Sequence, residues 1–278
     1  MATRIISALV ALPLVIFLVQ LGGWPFACLI LGVGAVCLSE FATMVLPGDR
    51  LGRFVTVGVG LIMLLLGLLG RFSGGDAVAW FGLAPIALLT FFLFRTGDMT
   101  TVAPRAGLAS LAVLWAGFLL VGTAALRFLP RGEAWLYLVC VLAWASDTGA
   151  YFAGRFFGKR KLYEKVSPKK TWEGAVGGVV TATIGAFVLQ WALGAPRIPV
   201  GHLAVLAPVA AAFGQVGDLA ESLLKRSMGV KDSGRIMPGH GGLLDRVDAV
   251  LFIGPIVFLY AQVVLGEPAH WLAVMLSW

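Results

Sequence analysis

Apolar runs of about twenty residues recur along almost the whole of this chain, and nothing else constrains its fold as strongly. A helix rises 1.5 Å per residue, so about twenty apolar residues cross the ~30 Å hydrocarbon core of a bilayer. Nine such runs can be drawn, at about 4–21, 24–46, 52–70, 77–95, 106–129, 133–154, 172–194, 200–224 and 246–266. They are punctuated by Gly, Pro and Arg and lack the every-second-residue alternation of barrel strands. Only 13% of the residues are charged and the mean hydropathy is +0.94, whereas a soluble domain carries about 25% charged residues. The expected fold is an all-α polytopic integral membrane protein with about nine transmembrane helices.

Nine spans put the termini on opposite sides. With a cytoplasmic N-terminus, seventeen of the 21 Lys and Arg residues fall inside and only Arg71, Arg127, Arg131 and Arg197 outside, which is the bias of the positive-inside rule. The expected location is the cell (inner) membrane, multi-pass. The first run follows a single Arg and has no clear small-x-small cleavage site, so it reads as an uncleaved span. The apolar tail His270–Trp278 is too short to cross and is expected to lie in the interface. Cys28, Cys37 and Cys140 fall inside apolar runs without metal-ligand spacing and read as small buried hydrophobes.

The chain divides by character. Residues 1–130 carry few polar groups inside their spans and read as a scaffold. Residues 131–278 hold nearly all of them and read as the working region, with cytoplasmic loops at 155–171 and 225–245. The net charge of +7 is concentrated in loops, away from the aromatics. Anionic lipid head groups and phosphorylated ligands are therefore the expected partners, and no nucleic acid.

Ionisable groups inside spans are costly and usually functional. Asp147 lies in the sixth run, eight residues before Arg155. Asp218 and Glu221 lie near the end of the eighth, Asp218 seven residues before Lys225. At 1.5 Å per residue both aspartates sit roughly 10–12 Å above the cytoplasmic end. Asp245 and Asp248 open the ninth run. Carboxylates from three helices can thus converge in the cytoplasmic half, and a divalent cation is the simplest compensation for their mutual repulsion. Each acid could instead pair with a local Lys or Arg. Asp218, Glu221, Ser222 and Lys225 share one helix face, where Glu221 could equally neutralise Lys225 at i+4.

Two loops suit phosphate. Pro238-Gly239-His240-Gly241-Gly242 cannot be a helix, and its glycines permit positive φ. The positive N-terminus of the ninth span follows directly. Lys225, Arg226, Lys231, Arg235 and Arg246 flank it. His240 is read as a hydrogen-bond donor more readily than as a base, while His202 and His270 lie at outer span edges. In the loop 155–171, Ser167 as N-cap and Pro168 at the first helical position would start the seventh helix, placing Lys169 and Lys170 at its positive end.

The string S-x-x-K-R-x-x-x-x-K-D-S-G-x-x-x-P-G-H-G-G-x-x-D-R-x-D, as it stands at Ser222–Asp248, resembles the signature of the phosphatidate cytidylyltransferases, or CDP-diacylglycerol synthases. S-D-T-G-A-Y at 146–151 and S-P-K-K-T-x-E-G at 167–174 resemble that family's pattern in the same order. The resemblance covers roughly 140–250; over 1–130 it rests on length and hydropathy.

What it implies is transfer of CMP from CTP to phosphatidate, giving CDP-diacylglycerol and pyrophosphate, with CTP, phosphatidate and membrane lipids as partners. It implies Mg²⁺ held by Asp218 and Asp245, with Asp147, Glu221 and Asp248 in support; a second, monovalent cation and a homodimer are compatible with it. Lys225, Arg226, Lys231, Asp232, His240, Arg246 and Asp248 would act on the reacting phosphates. Ser222, Lys169, Lys170, Gly239, Gly241 and Gly242 would bind substrate. The alternatives are a CTP-dependent kinase of a polyprenol-type lipid alcohol, and a transporter of a phosphorylated solute.

Overall fold

Small residues decide where the helices touch. The computed structural model describes residues 2–70, 77–95, 98–234, 236, 241–267 and 269, with the backbone alone for 2–11 and 77–78. Its helices are α1 (Ala2–Leu21), α2 (Gly23–Val45), α3 (Arg50–Leu68), α4 (Ala77–Leu93), α5 (Met99–Ala112), α6 (Leu119–Ala125), α7 (Gly132–Phe157), α8 (Trp172–Leu193), α9 (Val200–Ser227) and α10 (Leu244–Val263). A π-helical turn, Val113–Phe118, joins α5 to α6, so Met99–Phe128 runs as one helical segment.

Among the described residues, seven segments are long and apolar enough to cross a membrane: α2, α3, Met99–Phe128, α7, α8, α9 and α10. Leu12–Leu21 and Ala79–Leu93 are apolar but shorter. The all-α membrane architecture therefore stands, with one β exception below. The fifth run begins at Met99 rather than at 106. Asp98 caps it by accepting the Thr100 N–H at 3.0 Å, and hydropathy alone reads that polar first turn as loop.

The chain forms two compact units. The first comprises residues up to Val121 together with Asp232–Arg246. In it α2 and α3 interlock at Gly60, where an added Cβ would stand 2.6 Å from both Leu38 methyls. Asp49 caps α3 through the Gly52 N–H at 2.8 Å and forms ion pairs with Arg95 and Arg105.

The second unit comprises Gly122–Lys231 and Val247–Ala269. Its centre is the α7–α8 seam. Gly174, Gly178, Ala182 and Ala186 recur every four residues along α8 and are its buried positions, the spacing that lets two backbones approach closely in a membrane. Val176, Val180, Ile184 and Val188 form the opposite, exposed stripe. Trp172 and Trp191 stand exposed at the two ends of α8, about 28 Å apart at 1.5 Å per residue. That is the span of a hydrocarbon core with interfacial aromatics at its edges.

The exception to helix is an antiparallel hairpin between α7 and α8: β1 (Lys161–Tyr163) and β2 (Ser167–Thr171), pairing Lys161 with Thr171 and Tyr163 with Ser167. The expected Ser167 cap is thereby overturned. Thr171 caps α8 by accepting the Gly174 N–H at 3.1 Å, and Pro168 sits in β2. A fixed φ suits an edge strand as well as a first helical turn. The choice is made by Glu173, which accepts the Lys159 N–H at 3.0 Å and the Arg160 N–H at 3.2 Å.

Candidate active site

Gln215 joins three helices of the second unit. Its amide donates to Ser146 Oγ on α7 at 3.1 Å and to the Ala175 carbonyl on α8 at 3.0 Å. About one and two turns further along α9 stand Asp218 and Glu221. Asp218 forms an ion pair with Lys170, which β2 carries to it from the hairpin, and Ser222 Oγ lies 3.5 Å from its Oδ1. Glu221 is fully buried and meets Lys225 Nζ at 3.3 Å on the same helix face. Gly214 and Gly217 let α10 come close: a Cβ at Gly217 would lie 2.7 Å from the Phe252 ring and 3.0 Å from the Asp248 carbonyl. That approach brings Asp248 to the side of α9 that carries Glu221 and into the electrostatic range of Asp218 and Asp147.

Asp218, Glu221 and Asp248 are thus brought near one another from α9 and α10, with Lys170 and Lys225 as counter-charges to Asp218 and Glu221, and the exposed Asp147 on α7 acts on Asp248 only through its charge. All the donors are carboxylate oxygens, the ligands of hard cations such as Mg²⁺. Among the described residues no three His, Cys, Asp or Glu side chains form a ready-made metal cage. The set fits a cation that completes its coordination with substrate phosphates, as Mg²⁺ commonly does.

Several expected phosphate ligands are placed differently. Lys225 is buried beside Glu221, because i,i+4 spacing on one face favours that pair over a free ammonium. Arg226 donates to the Val230 carbonyl at 3.2 Å, closing the end of α9. Lys169, Lys231, Asp232 and Arg246 are exposed. His202 Nδ1 lies 2.8 Å from the Tyr260 hydroxyl. Gly239 and His240, with Arg235 and His270, lie outside the described residues.

The described part of the glycine segment, Gly241 and Gly242, belongs to the first unit, and the Gly242 N–H is already used. Gly241 has φ +83°, the left-handed conformation that glycine favours. The Gly242 N–H, expected to face phosphate, donates to Asp245 Oδ2 at 2.9 Å, and the Ser233 N–H donates to the same oxygen at 3.1 Å. Leu243 and Leu244 N–H groups, at the start of α10, donate to the two oxygens of Glu40 at 3.0 and 2.9 Å. The positive helix end does attract an anion, as expected, but that anion is the chain's own Glu40.

Sequence reasoning missed Glu40, Gln215 and Glu173. The available signal was a carboxylate or amide inside an apolar run, most plainly Glu40 in C-L-S-E-F-A-T-M. The family model of the Cytidylyltransferase family matches residues 2–264. This chain belongs to that family. Relatives span nearly its whole length. It is 37% identical to the phosphatidate cytidylyltransferase of Bacillus subtilis over 94% of this chain and 96% of the relative. It is 34% identical to that of Brucella suis, over 96% of this chain and 94% of the relative. It is 36% identical to that of Pseudomonas aeruginosa, over 91% and 94%. As a family member the chain is a nucleotidyltransferase, and its segments at 146–151, 167–174 and 222–248 carry the polar groups just described.

Proposed function

We propose that this cytidylyltransferase acts on phosphatidate: CTP and phosphatidate give CDP-diacylglycerol and pyrophosphate. The carboxylate cluster around Asp218 and Asp248, on membrane-crossing helices of a cytidylyltransferase, carries the reading. One substrate is a lipid and the other a polyanion, and such a cluster, with lysines at its edge, serves both.

Phosphatidate presents an anionic phosphate oxygen at neutral pH, so no strong general base is needed. That oxygen attacks the α-phosphorus of CTP, the bond from the α-phosphorus to the bridging oxygen of the β-phosphate breaks, and pyrophosphate leaves. Catalysis is then mostly positioning and charge stabilisation. Lys170, held beside Asp218, and the exposed Lys169 and Lys231 would hold phosphate oxygens. Asp218 and Asp248, with Asp147 adjoining, would hold Mg²⁺, which when bound would neutralise charge gathering on the leaving pyrophosphate. Asp245 holds the Ser233 and Gly242 N–H groups, so its first contribution is to the shape of its own loop.

Nine spans with a cytoplasmic N-terminus, in the cell's inner membrane, would set this site in the cytoplasmic half, where CTP is. The Lys/Arg asymmetry supports that orientation. A transporter would need polar groups through the full membrane depth. In the second unit the α8 hydroxyls of Thr181 and Thr183 instead bond their own helix carbonyls, both at 2.8 Å.

The test incubates the purified protein with CTP, Mg²⁺ and phosphatidate and measures CDP-diacylglycerol. Asp218→Asn and Asp248→Asn should each abolish it while leaving the protein folded in the membrane. Phosphorylation of a lipid alcohol, with no CDP-diacylglycerol, would replace this reading with the kinase one.

A further inference from the structure

Glu40 stands out among the groups that the proposed chemistry does not use. It is a carboxylate in the middle of α2 and only 6% exposed. Among the described residues its hydrogen-bond partners lie about two hundred residues away, in the segment that carries the longest motif. Leu243 and Leu244 N–H groups donate to Oε1 and Oε2 at 3.0 and 2.9 Å, and the Ser233 hydroxyl lies 3.4 Å from Oε2. The carboxylate therefore grips both arms of the glycine segment. Two of the first N–H groups of α10, which have no partner within the helix, are satisfied by a charge from outside it.

The surrounding backbone is shaped to admit that carboxylate. A Cβ at Gly234 would stand 2.6 Å from Glu40 Cδ and 2.8 Å from its Cγ. At Gly242 it would stand 2.6 Å from Glu40 Oε2 and 2.7 Å from the Gly234 nitrogen. Glycine is required at both places by closeness to Glu40, without appeal to a phosphate. Asp245 and Arg246 stand on the first turn of the helix whose N-terminus is held in this way. Each residue turns a helix by about 100°, so fixing the Leu243 and Leu244 N–H groups fixes the direction in which both side chains leave it.

We propose that Glu40 is a positioning residue of the transferase, a latch that ties Ser233 to Leu243 and Leu244 and sets the rotational phase of the start of α10. This rests on the reading of the protein as a phosphatidate cytidylyltransferase. The test uses the full chain in detergent–lipid micelles, comparing wild type with Glu40→Gln and Glu40→Ala. Glutamine keeps the size of the side chain but offers one acceptor where two N–H groups arrive, so both variants should behave alike. Expected is a fall in kcat of tenfold or more, with KM for CTP and for phosphatidate changed less than threefold and the melting temperature close to wild type. Tryptic cleavage after Lys231 and Arg246 should accelerate while the rest of the chain stays protected.

Wild-type kcat with unchanged cleavage would overturn the proposal. So would variants that fail to fold, since Glu40 would then only hold the first unit together. The proteolysis comparison needs no turnover. A wild type that makes no CDP-diacylglycerol, but whose loop opens in the variants, would sink the functional reading and leave the latch standing.

Discussion

Gly178→Ala is a one-carbon change at the point where α7, α8 and α9 meet. The added Cβ would lie 2.7 Å from the Ser146 carbonyl oxygen, 2.7 Å from Gln215 Nε2 and 3.1 Å from Ala150 Cβ. Ordinary contact begins at 3.4 Å, so α7 and the Gln215 side chain must each retreat by about 0.7 Å, against interiors that yield little. The backbone oxygen cannot swing aside. Gln215 can, but only by giving up its 3.1 and 3.0 Å hydrogen bonds to Ser146 and Ala175. Overpacking of this kind costs about 1–3 kcal/mol, and hydrogen bonds between membrane helices average roughly 0.6 kcal/mol each. The expected loss is about 2–4 kcal/mol.

Gly58→Ala supplies the control. It is the same chemical change inside α3, with nothing within 4 Å of the new methyl, and helix propensity alone should make it neutral or stabilising by up to ~1 kcal/mol. Reversible unfolding of both variants by SDS in mixed micelles measures the difference. Because Gln215 stands one turn before Asp218, Gly178→Ala should also lower kcat. Equal midpoints for the two variants would refute the reasoning, since α8 would then not be held against α7 by the absence of a side chain.

Lys170→Met should reduce turnover at least tenfold and raise KM for CTP, because Asp218 loses its counter-charge and the site loses a cation; steady-state kinetics with CTP varied would check it. Thr171→Ala removes the cap of α8 and should lower stability by about 1 kcal/mol, read as a shift in melting temperature. At Asp49 burial opposes ionisation, yet the Gly52 N–H and the Arg95 and Arg105 guanidiniums outweigh it and hold the carboxyl below the usual carboxylate range. Its contribution is therefore complete above the unfolded value, near 4, and is lost as pH falls through the lower folded value. Asp49→Asn should cost about 1–3 kcal/mol at pH 7 and make unfolding less sensitive to acid below pH 4, measured as melting temperature against pH.

The limits of local reading show at particular residues. Hydropathy places α2 at 24–46 against the observed Gly23–Val45, and α8 at 172–194 against Trp172–Leu193, because the cost of exposing backbone to lipid is met residue by residue along one helix. Ser167 and Pro168 follow a good helix-start rule and still form a strand. The hairpin is tied to α8 by the Lys159 and Arg160 N–H groups, which donate to Glu173 thirteen or fourteen residues later, beyond any capping window. Lys225 shows the opposite case: its i,i+4 partner Glu221 was visible in the sequence, and only burial decided between that pair and a phosphate.

By itself the sequence determined that this is a helical membrane protein, where most of its helices lie, and which family it resembles. Those properties are written in composition, periodicity and a long motif. Tertiary structure alone decided which carboxylates meet one another and which hold the backbone of a loop or helix end. Asp218, Glu221 and Asp248 meet because Gly214 and Gly217 let α10 reach α9. Glu40, in a stretch that reads as scaffold, takes the helix end that looked ready for a phosphate. A carboxylate's role depends on which donor reaches it first, and for Glu40 that donor lies 203 residues away.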